Sequence, residues 1–157
     1  MKRSLPVLAL TLLIILLDQA SKQWLLFGVG MLARAPIRFN DWCALVMVWN
    51  HGISFGMLNH GSPTPPWILA AMAVVVSTVL ARLALKTPVK WERTGYSLVM
   101  GGALGNAIDR LRFGAVADFF YFHLGNLGWP AFNVADAAIC IGVGLLLIMM
   151  VKHPSKP

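Results

Sequence analysis

The strongest constraint on this chain is a set of apolar runs that the rest of it is too small to cover. Leu5 to Leu17 is apolar apart from Thr11, and apolar character resumes at Trp24-Leu25-Leu26-Phe27. Read as one segment, 5–27 is long enough to cross a hydrocarbon core of ~30 Å at about 1.5 Å per residue. Three more segments follow at 67–85, 94–112 and 132–151. Only 12% of the 157 residues are charged, where a soluble domain carries roughly 25%. A bilayer is therefore the expected solvent. The expected architecture is an all-α integral membrane protein, one domain over 1–157, with four transmembrane helices.

The connections differ in character. Residues 28–66 hold Gly28, Gly30, Pro36, Gly52, Gly56, Gly61, Pro63, Pro65 and Pro66 among scattered polar residues. Within them Cys43 to Trp49 has the β-branched and aromatic content of a strand. A lone strand cannot span lipid, because its backbone groups must be satisfied internally. This region reads as a small extramembrane sheet or loop, and 113–131 as a second connection on the same side. Gly101, Gly102 and Gly105 allow close helix packing within a membrane. The start, Met1-Lys2-Arg3 before an apolar run, also fits a signal peptide. Cleavage is not expected, because Asp18-Gln19-Ala20 lacks the small residue needed three positions before a cut. Cys43 and Cys140 lie at different depths and make a poor disulfide pair.

The net charge is +7, which could suggest nucleic acid. The basic residues instead sit at the ends of apolar runs, and no basic run carries interleaved aromatics, so nucleic-acid binding is not expected. With four spans, eight basic residues fall on one side: Lys2, Arg3, Arg82, Lys86, Lys90, Arg93, Lys152 and Lys156. Lys22, Arg34, Arg38, Arg110 and Arg112 fall on the other. The positive-inside rule then puts both termini in the cytoplasm. Glu92 alone among the acidic residues lies inside. Asp18, Asp41, Asp109, Asp118 and Asp136 gather at the outer face.

Three constellations carry potential chemistry. Asp18 and Lys22 are spaced i, i+4 on one helix face. The pair either snorkels outward as a structural element or helps to shape a site. Asn106, Asp109 and Arg110 share a second face and suit a positioning role; Arg110 alone could also meet a phosphate head group. Asp118 and Asp136 lie at two loop–helix junctions. If the third and fourth spans are antiparallel neighbours, the two carboxylates reach the same depth. Such a pair shares a proton, so one member can act as general base on water while the other donates. Asn133 is one turn before Asp136 and placed to orient it. A plain helix N-terminal charge is the competing explanation for Asp136.

Other motifs are weaker. Gly52-Ile53-Ser54-Phe55-Gly56 matches the nucleophile elbow, but that motif needs a strand–turn–helix setting in an α/β sheet. Ser21 or Ser54 with Lys22 is a poor serine–lysine dyad, since Ser21 and Lys22 point apart on a helix. Four histidines without paired spacing do not suggest a metal site. No metal or cofactor is expected.

Taken together, the motif blocks resemble those of the lipoprotein signal peptidases (signal peptidase II), bacterial membrane aspartic peptidases. Asp18-Gln19-Ala20-Ser21-Lys22 is similar to the first block. Asn50-His51-Gly52-Ile53-Ser54-Phe55 is similar to the second. Gly101 to Asn106, continuing through Asp109-Arg110, is similar to the third. Val116-Ala117-Asp118-Phe119 and Phe132-Asn133-Val134-Ala135-Asp136 are similar to the fourth and fifth. The resemblance implies that Asp118 and Asp136 are catalytic. It implies supporting roles for Asp18, Lys22, Asn50, Gly52, Gly105, Asn106, Arg110, Asn133 and Ala135, with Asp109 beside them. It further implies a small β-cradle and a short outer helix over the site, in a bacterial inner membrane with the site at the periplasmic face. The implied substrate is a diacylglyceryl-modified prolipoprotein, cut before its lipidated cysteine. Membrane lipid is the other partner, and a monomer is expected. Two departures stand out: Ile53 and Ser54 where small residues are usual, and Ala117 where a β-branched residue is usual. Two rival readings remain open at this stage, a small proton-coupled transporter using the same carboxylates and a non-catalytic assembly factor.

Overall fold

The computed structural model describes residues 4–52, 65–125 and 127–152. Four long helices and a four-stranded antiparallel sheet account for most of them. The first helix, α1, covers Ser4–Gln23 and ends in a π-helical turn, Trp24–Gly28. The others are α2 (Pro66–Lys86), α3 (Lys90–Phe113) and α4 (Val134–Lys152). Pro66 opens α2, where its missing N–H costs nothing. Gly114, with a φ of 75°, closes α3 in the left-handed conformation.

Three helical segments are long and apolar enough to cross a membrane: Ser4–Gly28, Pro66–Lys86 and Val134–Lys152. Their outer faces are bare side chains. Leu5, Leu8, Leu12 and Leu16 on α1 and Val75 on α2 are all more than half exposed, an arrangement suited to lipid rather than water. The expected fourth span, 94–112, is a helix but fails on apolarity. It is the central helix, packed against α1, α2 and α4, with Gly95, Gly101, Gly102, Gly105, Asn106 and Asp109 all buried. Its residues answer to protein neighbours, so they need not be greasy.

The glycines of α3 set how closely its neighbours approach. A Cβ on Gly102 would lie 2.3 Å from the Ala135 carbonyl oxygen, and one on Gly101 would lie 2.6 Å from Ile14 Cβ. Backbone lies directly against backbone there, as small residues permit in membrane helix pairs.

The expected small sheet is present at one end of the bundle. Strands β1 (Ile37–Asn40), β2 (Cys43–Asn50), β3 (Val116–Leu124) and β4 (Leu127–Phe132) pair in the order β1-β2-β3-β4. The expected strand at 43–49 is β2. The expected connection 113–131 is instead a hairpin that builds half the sheet. Strand alternation explains its use: Ala117 and Phe119 enter a core with Leu25, Leu26, Met31 and Leu45, so Asp118 faces the other way. Burying Phe119 contributes about 2 kcal/mol and fixes that register, since a one-residue slip would turn Asp118 into the core. Among the described residues of 28–66 there is no short outer helix; residues 53–64, with Ile53 and Ser54, lie outside the description.

Gly102→Ala should destabilise the protein by about 1–3 kcal/mol through overpacking. Gly144→Ala, which meets nothing within 4 Å, should be neutral or slightly stabilising. Thermal unfolding in detergent compares the two directly.

Candidate active site

Asp118 and Asp136 reach one place from different elements. Asp118 sits on β3 opposite Val48 of β2, not at a helix end as its flanking apolar residues suggested. Asp136 is in the first turn of α4. Both are buried, at 1% and 8% exposure.

One amide joins them. Asn133 Nδ2 donates to Asp118 Oδ1 at 2.7 Å. Asn133 Oδ1 accepts from the Asp136 N–H at 2.9 Å, and Asp136 Oδ2 accepts from the Asn133 N–H at 3.2 Å. The last two bonds form a reciprocal cap at the start of α4. Asn133 is therefore the cap residue rather than a neighbour on the helix face. Asp136 thus stands at a helix terminus and also shares a hydrogen-bonding partner with Asp118. The other oxygens are also addressed: Asn50 Nδ2 donates to Asp118 Oδ2 at 3.1 Å, and Asn106 Nδ2 to Asp136 Oδ1 at 2.8 Å.

Below this pair lies a buried ionic cluster. Lys22 Nζ is 2.8 Å from Asp18 Oδ2 and 2.8 Å from Asp109 Oδ2, and it donates to Asn106 Oδ1 at 3.1 Å. All three charged residues are 0% exposed, so the pair does not snorkel outward. Each carboxylate then accepts a backbone bond from the residue just before Asp136 or Asp118. Asp18 Oδ1 takes the Ala135 N–H at 3.0 Å, and Asp109 Oδ2 takes the Ala117 N–H at 3.2 Å. Gly105 is required here, because a Cβ on it would lie 2.7 Å from Asp18 Oδ2.

Arg110 turns inward and not to a head group: its Nη2 donates to the Gly52 carbonyl at 2.7 Å. Gly52 in turn donates its N–H to Asn50 Oδ1 at 3.1 Å, which aims the Asn50 amide nitrogen at Asp118. Every site residue expected from sequence and lying in the described region thus joins one hydrogen-bonded or packed assembly. Ser21 instead donates to the Asp18 carbonyl at 2.7 Å, away from Lys22, so these two form no dyad; Ser54 lies outside the described residues. Gln19 was overlooked. Its Nε2 donates to Asp109 Oδ1 at 2.8 Å, and its Oε1 accepts from Arg112 at 3.3 Å. A search for charge passes over a neutral amide; its place inside the first motif block was the available signal.

The electrostatics separate Asp118 from an ordinary carboxyl. Burial pushes it up from 3.8 to about 7, and the neighbouring Asp136 charge adds to this. The bonds from Asn50 and Asn133 act in the opposite sense. Near neutral pH Asp118 therefore stands close to its own titration midpoint.

Residues 10–152 match the family model described as Signal peptidase (SPase) II. The chain belongs to the signal peptidase II family. Its similarity to named relatives is extensive. A lipoprotein signal peptidase of Azoarcus sp. (strain BH72) is 44% identical over 147 residues, 91% of this chain and 81% of that protein. One from Oleidesulfovibrio alaskensis is 40% identical over 155 residues, 96% of this chain and 97% of that protein. In fold, the chain is similar to a bacterial membrane enzyme solved by the in meso method at 2.3 Å resolution. The TM-score is 0.81 at 24% identity, over 96% of this chain and 90% of that one. Signal peptidase II membership makes this chain a peptidase, and its apolar helices make it a membrane protein. The proton-coupled transporter reading finds no support in these matches.

Replacing Lys22 with Met should leave two carboxylates buried without a counter-charge. A loss of about 3–5 kcal/mol is expected, read as a lower unfolding temperature in detergent. Lys22→Arg should recover little, because the cavity is built for one compact ammonium.

Proposed function

We propose that this peptidase is an aspartic endopeptidase that removes the signal peptide from diacylglyceryl-modified prolipoproteins, cutting before the lipidated cysteine. The observation that carries the reading is the pair Asp118 and Asp136, held on the single amide of Asn133, with the Asp118 carboxyl raised to about 7. Asp136 takes a proton from water as the water oxygen attacks the scissile carbonyl carbon. Asp118 gives its proton to the carbonyl oxygen. As the tetrahedral intermediate collapses, the carbon–nitrogen bond breaks and a proton passes to the departing amine of the cysteine.

The surroundings favour a lipidated substrate. Leu69, Met72, Ala73, Val76, Val99 and Ile139 line an apolar groove between α2, α3 and α4 that ends at Asn106 and Arg110. Its volume is about 210 Å³. An acyl chain lying there would bring the modified cysteine to the carboxylates, so binding far from the reacting bond would position it. In this reading α3 is the fourth span, shielded from lipid by its neighbours. The chain lies in a bacterial inner membrane as a single integral membrane domain, both termini are cytoplasmic, and the aspartates open to the periplasm. It acts as a monomer on substrate drawn from the surrounding lipid.

Asp118→Asn and Asp136→Asn should each lower cleavage of a lipid-modified precursor in detergent by about 10²- to 10⁴-fold. The double variant should be little worse than either single one. Wild-type cleavage by either single variant would defeat the proposal. The proton on Asp118 must be present for turnover and leaves as pH rises through about 7. The rate should therefore fall above that point, about tenfold per unit, in a pH profile of kcat/KM. Excess EDTA should leave the rate unchanged.

A further inference from the structure

A second cleft lies at the other end of the bundle. It is formed by the parallel starts of α1 and α3, and Pro6, Val7, Leu10, Lys90, Arg93 and Ser97 line it around a volume of about 210 Å³. Arg93 lies 13 residues before Asn106, roughly 20 Å along the helix, so this cleft is separate from the aspartate site. Its two halves differ in chemistry. Pro6, Val7 and Leu10 supply an apolar wall on α1. Lys90 and Arg93 supply two cations at the first turn of α3.

These cations lack a carboxylate partner. Every ion pair among the described residues centres on Lys22. Glu92, the nearest acid in sequence, accepts instead from the Thr87 hydroxyl. Arg93 makes one long bond, from Nη1 to the Pro88 carbonyl at 3.4 Å. Lys90 Nζ stands 6.0 Å from the Trp91 ring. The backbone N–H groups opening α3 add a favourable field for negative charge. Cations, helix terminus and apolar wall meet where a leaflet's head groups would lie.

We infer that this cleft binds an anionic phospholipid of the leaflet opposite the aspartates, its phosphate on Lys90 and Arg93 and an acyl chain along Pro6, Val7 and Leu10. Basic pockets between membrane helices take such head groups. The inference needs the bundle to cross a bilayer but does not depend on the chemistry of Asp118 and Asp136.

Native mass spectrometry of the delipidated full chain in neutral detergent tests it. Phosphatidylglycerol and phosphatidylcholine are titrated separately, and the affinity of the first bound lipid is read. Phosphatidylglycerol should bind about tenfold tighter, and Lys90→Gln with Arg93→Gln should remove that preference. Leu10→Trp should weaken phosphatidylglycerol by filling the cleft without changing charge. Lys152→Gln, at the same end of the bundle but outside the cleft, should change nothing. Equal binding of the two lipids would overturn the inference. So would an equal effect of Lys152→Gln, an unchanged affinity in Leu10→Trp, or displacement by millimolar inorganic phosphate, which would mark a site for the free anion. Precursor cleavage by the Lys90 and Arg93 variants, measured alongside, separates this outcome from failure of the aspartate mechanism.

Discussion

The architecture depends on one buried lysine. Lys22 balances Asp18 of its own helix and Asp109 of α3, and those carboxylates hold the backbone of α4 and of β3. Removing charges from water is costly, and it is tolerated only where the partners are in place and the remaining lone pairs are used. Here they are used on the N–H groups of Ala117 and Ala135. The residues that follow are Asp118 and Asp136. The ionic cluster therefore helps to set the distance between β3 and α4, which the Asn133 amide also bridges.

The amides finish what the ions begin. Asn50, Asn106 and Asn133 each donate to the carboxylate of Asp118 or Asp136. Neutral donors orient a carboxylate without supplying the positive charge that would strip its proton. Burial and the Asp136 charge raise Asp118 to about 7 against the pull of these bonds, while the bonds fix its geometry. Lys22 reaches Asp136 through Asn106, and its charge lowers Asp118 less than the two amide bonds do.

Much of this was legible in the sequence. Apolar runs flanked by cations located the four long helices to within a few residues, three of them apolar enough to cross a membrane. The site residues were legible because charge is scarce: only six acids are present, and each buried one needs a reason. The sheet was only half legible. Strand β2 has a plain β-rich composition, but β4 carries Gly128 and Pro130, which argue against a strand. Its position at the sheet edge tolerates both. Helix α3 misled in the other direction. Its charges and glycines serve packing inside the bundle, so it lacks the apolar signature of its neighbours. The cap role of Asn133 and the bond from Gln19 depend on where a helix begins and which way an amide turns, and spacing along a chain does not carry that information.

The central claim is that the two aspartates share a proton retained near neutral pH. Isotope-edited infrared titration of the full chain with labelled aspartate, wild type minus Asp118→Asn, tests this most directly. The account predicts a protonated carboxyl band in the difference spectrum that disappears with a midpoint near pH 7, where burial and the Asp136 charge place Asp118. A difference band that has already vanished by about pH 5, close to the ordinary carboxylate range, would contradict it.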